Sequence, residues 1–266
     1  MASLNFIIQL LQVTTIQLLG LFGIFFAFGY VLAKLQEFTQ KTYYKTVGWK
    51  GILITAWFGT PIHELGHIFF AKLFRHKIND ISFFQPNKLN GNLGHVDHSY
   101  NRKSLYQNIG NFFIGAAPMI WGSIILVTML YFLVPNGKEI FAPLANSTGS
   151  ATTFIFSLKN TLLNLFSLEN LQTWNFWVFL YLSFCLSAHI APSKQDRHGM
   201  WKGFVWIVGL ILLVNLITLG LKFDITSYIL NLTKYLGIFT AIFTYTLIIS
   251  LLHFILSNLI LWPFRR

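Results

Sequence analysis

Charged residues are scarce in this chain of 266 residues: only 10% are Asp, Glu, Lys or Arg, whereas 55% are hydrophobic. Soluble domains carry about a quarter charged residues, so the composition excludes a large soluble enzyme with a single membrane anchor. Cysteine is nearly absent as well, and the single Cys185 excludes a disulfide bond within the chain. We therefore expect an integral membrane protein.

Acidic residues number only eight, against 19 Lys and Arg, which gives a formal net charge of +11. The basic residues are spread through the polar connectors, which is typical of charges that flank membrane helices and argues against nucleic acid binding. No basic residue precedes the first apolar run, MASLNFIIQLLQ, and no small-residue cleavage site is evident. We therefore expect an uncleaved membrane span near the N-terminus rather than a signal peptide.

Six segments meet the length of about 20 apolar residues that a membrane span requires, which predicts an all-α polytopic membrane protein with about six transmembrane helices. The predicted spans are about 12–35, 51–74, 108–134, 174–191, 204–221 and 236–262. A polar connector with three lysines follows the first span, and the short polar link PSKQDRHG follows the fourth. Between spans three and four, residues 154–171 are expected to form an interfacial amphipathic helix.

The six-span topology places both termini, the stretch 75–107 and the link PSKQDRHG on one side of the membrane. Lys and Arg, including the terminal Arg265 and Arg266, are modestly more numerous on that side. Because cytoplasmic loops carry an excess of Lys and Arg, we expect this side to be cytoplasmic.

The second predicted span contains GTPIHELGHIFF, which places two histidines and a carboxylate among apolar residues. An ionisable residue at membrane depth costs roughly 2.5 to 3.5 kcal/mol on insertion scales, so three within five residues indicate a functional site. On a helix, His63 and His67 share one face and can bind one metal ion, while Glu64 lies beside them. This is the spacing of zinc hydrolases, in which Glu64 would be the general base. The alternative is an ordinary amphipathic helix face.

A third metal ligand must lie at the depth of the two histidines. Of the eight acidic residues, only Glu64 lies deep within a predicted span, and only Asp196 directly follows the cytoplasmic end of another. Asp196 lies in SAHIAPSKQDRHG, where Pro192 is expected to end the regular helix. We therefore predict Asp196 as the third ligand. The alternative is a solvated loop carboxylate beside Lys194 and Arg197.

Four further polar residues are candidates for the site. His189 and His198 lie on either side of the predicted third ligand, and either is expected to bind the metal, to hydrogen-bond a metal ligand or to bind substrate. Asn108 and Asn111, at the start of the third span, would donate to a substrate carbonyl or an oxyanion. Alternatively, these two amides cap the span or bond a neighbouring helix.

The polar stretch 75–107 contains two extended segments, DISFFQPN and LGHVDHSY, which are joined near Asn90 and Gly91. An Asn-Gly pair between such segments predicts a β-hairpin, and its aromatic residues favour a position against the membrane. An exposed strand edge beside a protease site can hold an unwound substrate segment by main-chain pairing; the alternative is a plain interfacial loop. A second metal site at His95, Asp97 and His98 is a further possibility.

Over about residues 51–199, the chain resembles the site-2 protease family of intramembrane zinc metalloproteases. The resemblance rests on HELGH in one span, on NIGNFFIGAAPMIWGS with its small residues and proline in the next, and on the aspartate at the matching end of the following span. It implies a three-helix catalytic core within 51–200 and a small membrane-associated β-hairpin. The remaining regions are an N-terminal helix with its connector at 1–50 and a two-span region at 201–266.

The resemblance also implies specific roles: Zn²⁺ held by two histidines and an aspartate, with a glutamate as the base, at His63, His67, Asp196 and Glu64. The family's final motif is Asn, then Pro three residues on, then Leu-Asp-Gly. In this chain His189 stands at the Asn position, Gln195-Asp196-Arg197 replaces the tripeptide, and the spacing from proline to aspartate is one residue shorter.

Three functions follow as expectations. The first is an intramembrane zinc endopeptidase of regulated intramembrane proteolysis, which cleaves a transmembrane or juxtamembrane segment of another membrane protein in the lipid bilayer, with its active site toward the cytoplasm. The altered aspartate motif and the additional histidines favour a second, a non-proteolytic zinc protein such as a metal carrier or a regulator. The third is a zinc hydrolase that acts on a lipid or a lipidated peptide.

Overall fold

The computed structural model describes residues 2–89, 91–147, 150–223, 225–232 and 236–264. Most of these residues are helical. The helices are α1 Ala2–Val47, α2 Trp49–Leu73, α3 Leu105–Leu133, α4 Gly137–Ala145, α5 Ala151–Leu165, α6 Leu168–Leu171, α7 Trp174–Ser187, α8 Lys194–Gly220, α9 Thr226–Asn231 and α10 Gly237–Leu261, and a short 3₁₀ helix follows at Trp262–Phe264. Two strands, β1 Lys77–Ser82 and β2 His95–Ser99, lie between α2 and α3.

Four helical segments of the described chain are long and apolar enough to cross a membrane, as in an all-α membrane protein. They are Leu4–Val47, Leu105–Leu133, Lys194–Gly220 and Gly237–Phe264. They correspond to the predicted first, third, fifth and sixth spans. The predicted second and fourth spans correspond to α2 and to the 14-residue α7, which are not among the four. The count of six spans therefore stays a prediction.

The predicted polar connector after the first span is helical for most of its length, because α1 continues through it to Val47. No glycine or proline occurs between Tyr30 and Val47 to interrupt the helix. Glu37 also pairs with Lys41 one turn further on, at 2.6 Å between Oε1 and Nζ. The break falls at Gly48, whose φ of 73° lies in the left-handed region that favours glycine.

The predicted link PSKQDRHG is also mostly helical, because α8 begins at Lys194. The Ser193 hydroxyl accepts a hydrogen bond from the main-chain N–H of Asp196 at 3.1 Å, and the Asp196 carboxylate accepts one from the Ser193 N–H at 2.7 Å. This reciprocal capping box starts the helix. Pro192 does not end the preceding helix, since α7 already ends at Ser187 and residues 188–193 are irregular.

Glycines allow α8 to lie directly against α3. A methyl group at Gly115 of α3 would collide with the main-chain O of Asp196 and the N of Met200, and one at Gly203 of α8 would collide with the main-chain N of Phe112. Small residues at a crossing let two helices approach closely. The first turn of α8, with Asp196, is therefore fixed against the middle of α3.

Buried side chains hold the remaining helices around this pair. The largest hydrophobic cluster joins α3, α4, α7 and α10, and Phe58 and Ile62 of α2 pack against it. Asn215 of α8 and Gln17 of α1 are both buried and exchange amide hydrogen bonds of 2.8 and 3.2 Å. The packing of Phe58 and Ile62 supports α2 immediately beside His63.

The predicted β-hairpin is confirmed. β1 and β2 are antiparallel, with Ile78 opposite His98 and Ser82 opposite His95, and the register shifts between Ile78 and Asp80. Gly91 has a φ of 73°, as a tight turn requires. Asn90 of the predicted turn, and the terminal Arg265 and Arg266, lie outside the described residues. The predicted interfacial helix at 154–171 corresponds to α5 and α6.

Candidate metal centre

His63 and His67 of α2 and Asp196 of α8 meet at one point. The Nε2 atom of His63 lies 3.4 Å from Asp196 Oδ2, and that of His67 lies 3.2 Å from Asp196 Oδ1. The three candidate ligand atoms lie within 4.8 Å of one another, and no other group of three or more His, Cys, Asp or Glu among the described residues is arranged to share a metal ion. The two histidines predicted from the spacing of HELGH and the aspartate predicted from its depth are thus neighbours in the structure.

Hydrogen bonds to main-chain carbonyls set the orientation of both imidazoles. His63 Nδ1 donates to the carbonyl of His189 at 2.7 Å, and His67 Nδ1 donates to the carbonyl of Ile114 at 2.9 Å. A carbonyl oxygen only accepts, so the proton of each neutral ring is on Nδ1 and the lone pair of each Nε2 faces Asp196. Metal-binding histidines are commonly held in this way.

The geometry of these atoms fits a metal ion. Two nitrogen lone pairs and a carboxylate repel each other at this distance, and a proton or a metal cation between them removes the repulsion. Ligands of a tetrahedral zinc ion at about 2.0 to 2.1 Å are separated from each other by about 3.3 Å, which matches the two observed distances. The donor set of two imidazoles and one carboxylate also leaves a fourth position open, as catalytic zinc sites do.

Two glycines of α2 place the histidines against their supporting helices. A methyl group at Gly59 would collide with the main-chain O of Cys185 in α7, and one at Gly66 would lie 3.0 Å from the Cβ of Trp121 in α3. Because α2 lies this close to both helices, its His63 reaches the carbonyl that follows α7 and its His67 reaches a carbonyl of α3. The sequence prediction did not include either glycine.

The irregular segment 188–193 is held by α1. Gln40 donates to the Ala188 carbonyl at 2.7 Å, and the side-chain oxygen of Gln36 accepts from the Ala191 N–H at 2.8 Å. The His189 imidazole is buried and contacts the Thr55 hydroxyl at 3.0 Å through Nε2. His189 therefore contributes its main-chain carbonyl to the site and is not part of the ligand cluster.

The other predicted residues occupy different positions. Asn108 donates to the carbonyls of Arg102 and Ser104 at 2.7 and 2.8 Å, which is the helix-capping alternative. Asn111 lines the cavity beside the candidate metal centre, and its amide donates long hydrogen bonds of 3.3 and 3.4 Å to carbonyls of its own helix. His198 is exposed and lines the same cavity from α8.

A cavity of about 690 Å³ opens beside the ligand cluster. Its walls are formed by residues of α1, α2 and α3, by the segment 188–193 and the start of α8, and by residues 91–98 of the hairpin segment. This volume lies within the range of about 300 to 1,000 Å³ that is usual for ligand sites. Glu64 lies in the wall and is only 5% exposed. Its carboxylate makes no hydrogen bond or ion pair with any described residue, so it is free to act on a molecule in the cavity.

The histidines of the hairpin do not form the second metal site. His95 Nε2 instead contacts Asp80 Oδ2 at 2.8 Å, and this hydrogen bond lowers the pKa of the Asp80 carboxyl. Asp97 accepts from Asn79 at 3.2 Å. His98 pairs with His76, a buried residue that the sequence analysis did not single out. Burial lowers the pKa of both His76 and His98.

Comparison of the chain with family models, with curated proteins and with solved structures found no match. The assignment of a function therefore rests on the geometry of the metal centre and its cavity.

Proposed function

We propose that the chain is an intramembrane zinc endopeptidase, similar to the site-2 protease family, that cleaves a transmembrane or juxtamembrane segment of another membrane protein. The observation that carries the proposal is the meeting of His63, His67 and Asp196 beside the unpartnered Glu64. In this proposal α2 and α7 also cross the bilayer, which makes six spans. The three helices α2, α3 and α7, together with the start of α8 that contains Asp196, then form the catalytic core, with the active site toward the cytoplasm.

The Nε2 atoms of His63 and His67 and the carboxylate of Asp196 would hold the zinc ion. When bound, zinc acts as a Lewis acid that acidifies water and polarises a peptide carbonyl. The protein prepares this site before the metal binds, because the main-chain carbonyls of His189 and Ile114 keep both Nε2 lone pairs available.

Glu64 is the general base in this mechanism. Its carboxylate oxygen takes a proton from water in the cavity as the water oxygen bonds to the carbonyl carbon of the peptide, and it then delivers that proton to the amide nitrogen as the C–N bond breaks. The adjacent His63 and the burial of the side chain support this role, because they fix Glu64 beside the metal centre and away from bulk solvent. Transfer of this kind contributes typically 10²- to 10⁴-fold to a rate.

The hairpin favours a peptide as the substrate. A peptide bond within a helix is shielded by its own hydrogen bonds, so a membrane segment must unwind before it is cleaved. Residues 91–98 line the cavity in succession and include His95–His98 of β2. An extended segment can pair with such a strand through its main chain.

The test compares purified wild-type protein with Glu64→Gln and with Glu139→Gln, a control at an exposed position on α4. Each protein is reconstituted with zinc and given a library of labelled single-span peptides. Glu64→Gln should keep the metal and lose at least about 100-fold of the cleavage rate. Glu139→Gln should behave as wild type. Unchanged cleavage by Glu64→Gln would refute the mechanism.

A second candidate function, a metal carrier, is favoured by the location of His95, His98 and His198 in the wall of the same cavity. A carrier would take up zinc into proteoliposomes. Uptake that is lost in His95→Ala or His98→Ala, without any peptide cleavage by the wild type, would support this function over proteolysis.

A further inference from the structure

His76 and His98 form a hydrogen-bonded pair at the cavity wall, separate from the metal ligands. His76 follows the end of α2 and is only 6% exposed, while His98 lies in β2. Their Nδ1 atoms are 3.0 Å apart. His76 Nε2 lies 2.9 Å from the carbonyl of Gln107, and the ring of Tyr100 stacks on His76 with centroids 5.0 Å apart.

The Gln107 carbonyl sets the direction of two hydrogen bonds, the one between His76 and Gln107 and the one between His98 and His76. Because the Gln107 carbonyl only accepts, His76 Nε2 carries the proton. The Nδ1 of a neutral His76 is then an acceptor, so the proton between the two rings belongs to His98 Nδ1. His98 is therefore held in one tautomer, with a bare lone pair on Nε2.

The Nε2 atom of His98 is accessible to solvent. It has no hydrogen-bond partner in the part of the chain that the structure describes, and it is not buried. His98 is a wall residue of the cavity that also contains Glu64 and Asp196. Burial and the nearby His76 lower the pKa of His98 to about 4, so the ring stays neutral and able to accept at neutral pH.

We propose that His98 is a substrate-binding residue whose Nε2 accepts a hydrogen bond from a main-chain N–H of a peptide in the cavity. His76 is the positioning residue that keeps His98 in the required tautomer. The proposal rests on the proposed function, since it needs a peptide at the metal centre, and it specifies the substrate further. A peptide main chain offers an N–H group at regular intervals, whereas a lipid ester linkage offers none.

The experiment measures peptide binding to zinc-loaded Glu64→Gln protein, which is expected to bind without cleaving. The probe is a fluorescein-labelled apolar peptide of about 20 residues with a central Gly-Ser pair, together with versions in which one main-chain N–H at a time is N-methylated. Two variants are made in the same background. His98→Asn keeps an amide near Nδ1 for His76 and removes the Nε2 acceptor, whereas His98→Gln carries its amide oxygen to about the Nε2 position.

One N-methylated position should weaken binding to the Glu64→Gln protein by about tenfold. The His98→Asn variant should bind the unmodified peptide about tenfold more weakly and lose most of its sensitivity to that N-methyl group, as expected for two groups that form one hydrogen bond. His98→Gln should recover most of the affinity. All three proteins should retain zinc.

Two other results would overturn the proposed role of His98 and leave the proposed function standing. These are peptide binding that His98→Asn leaves unchanged, and binding that no N-methyl group weakens. Failure of the Glu64→Gln protein to bind any of the peptides would instead overturn the proposed function, and the substrate role of His98 with it.

Discussion

The Nδ1–H of His63 donates to the main-chain carbonyl of His189, 2.7 Å away and 126 residues further along the chain. His189 belongs to the irregular segment 188–193, which leads directly into the first turn of α8 and Asp196. One short segment therefore orients His63 and leads into Asp196, which are two of the three candidate metal ligands. Its position depends on the two glutamines of α1 that bond its main chain.

Gln40→Leu should weaken zinc binding by about tenfold, because it removes the hydrogen bond that holds the Ala188 carbonyl and so loosens the segment that orients His63. Zinc affinity is measured by competition with a chelator. Gln12→Leu, at an exposed position on the same helix, is the control and should bind zinc as the wild type does. Equal affinities for the two variants would show that the segment does not depend on Gln40.

Gly115→Ala should also lower zinc affinity, since the added methyl group would collide with the main-chain O of Asp196 and push the first turn of α8 away from α3. Overpacking of this kind costs about 1 to 3 kcal/mol. The matched control is Gly209→Ala in α8, where nothing lies within 4 Å of the added methyl group. If both variants bind zinc equally well, close packing at Gly115 is not what places Asp196.

The hairpin should lose stability as the pH falls through the acidic range. Burial and the facing His76 and His67 lower the pKa of His98 from 6.5 to about 4, against an opposite effect of Asp97 and Asp196. In an unfolded hairpin His98 takes up its second ring proton near pH 6.5. The contribution of neutral His98 to the stability of the hairpin is therefore complete above about pH 6.5 and is lost progressively toward pH 4.

Nitrogen NMR of histidine-labelled protein follows this titration directly, and amide hydrogen exchange in β2, corrected for its intrinsic pH dependence, follows the opening of the hairpin. His98 should remain neutral, with its proton on Nδ1, at pH 6. A midpoint for His98 near 6.5 would contradict the buried pair with His76.

The three candidate ligands could be predicted from the sequence because helical spacing alone places His63 and His67 on one face. Acidic residues are so few that depth in the predicted membrane left Asp196 as the choice for the third ligand. The hairpin was predictable for a similar reason, since the Asn-Gly pair between two extended segments is a local signal. The structure brings the three ligands together.

The start of α8 was mispredicted although the sequence contains a signal for it. Ser193 and Asp196 have the spacing of a capping box, but the surrounding polar residues and Pro192 favoured a link. The end of α1 was mispredicted because its polar residues were read as a connector, whereas only Gly48 interrupts the helix. In both cases polarity was given more weight than the local start and stop signals.

The tautomers of the histidines could not be predicted from the sequence at all. They depend on the carbonyls of His189, Ile114 and Gln107, which belong to distant parts of the chain. The pairing of His76 with His98 depends in the same way on how the hairpin packs beside the end of α2. Contacts of this kind have no local pattern, because any residue can supply a main-chain carbonyl.

The metal content of the purified protein tests the account most directly, with elemental analysis of the wild type, Asp196→Ala and Asp97→Ala after the same dialysis. The account predicts about one zinc ion per chain in the wild type and in Asp97→Ala, whose carboxylate lies in the hairpin outside the ligand cluster, and little zinc in Asp196→Ala. Stoichiometric zinc in Asp196→Ala, or none in the wild type, would contradict it.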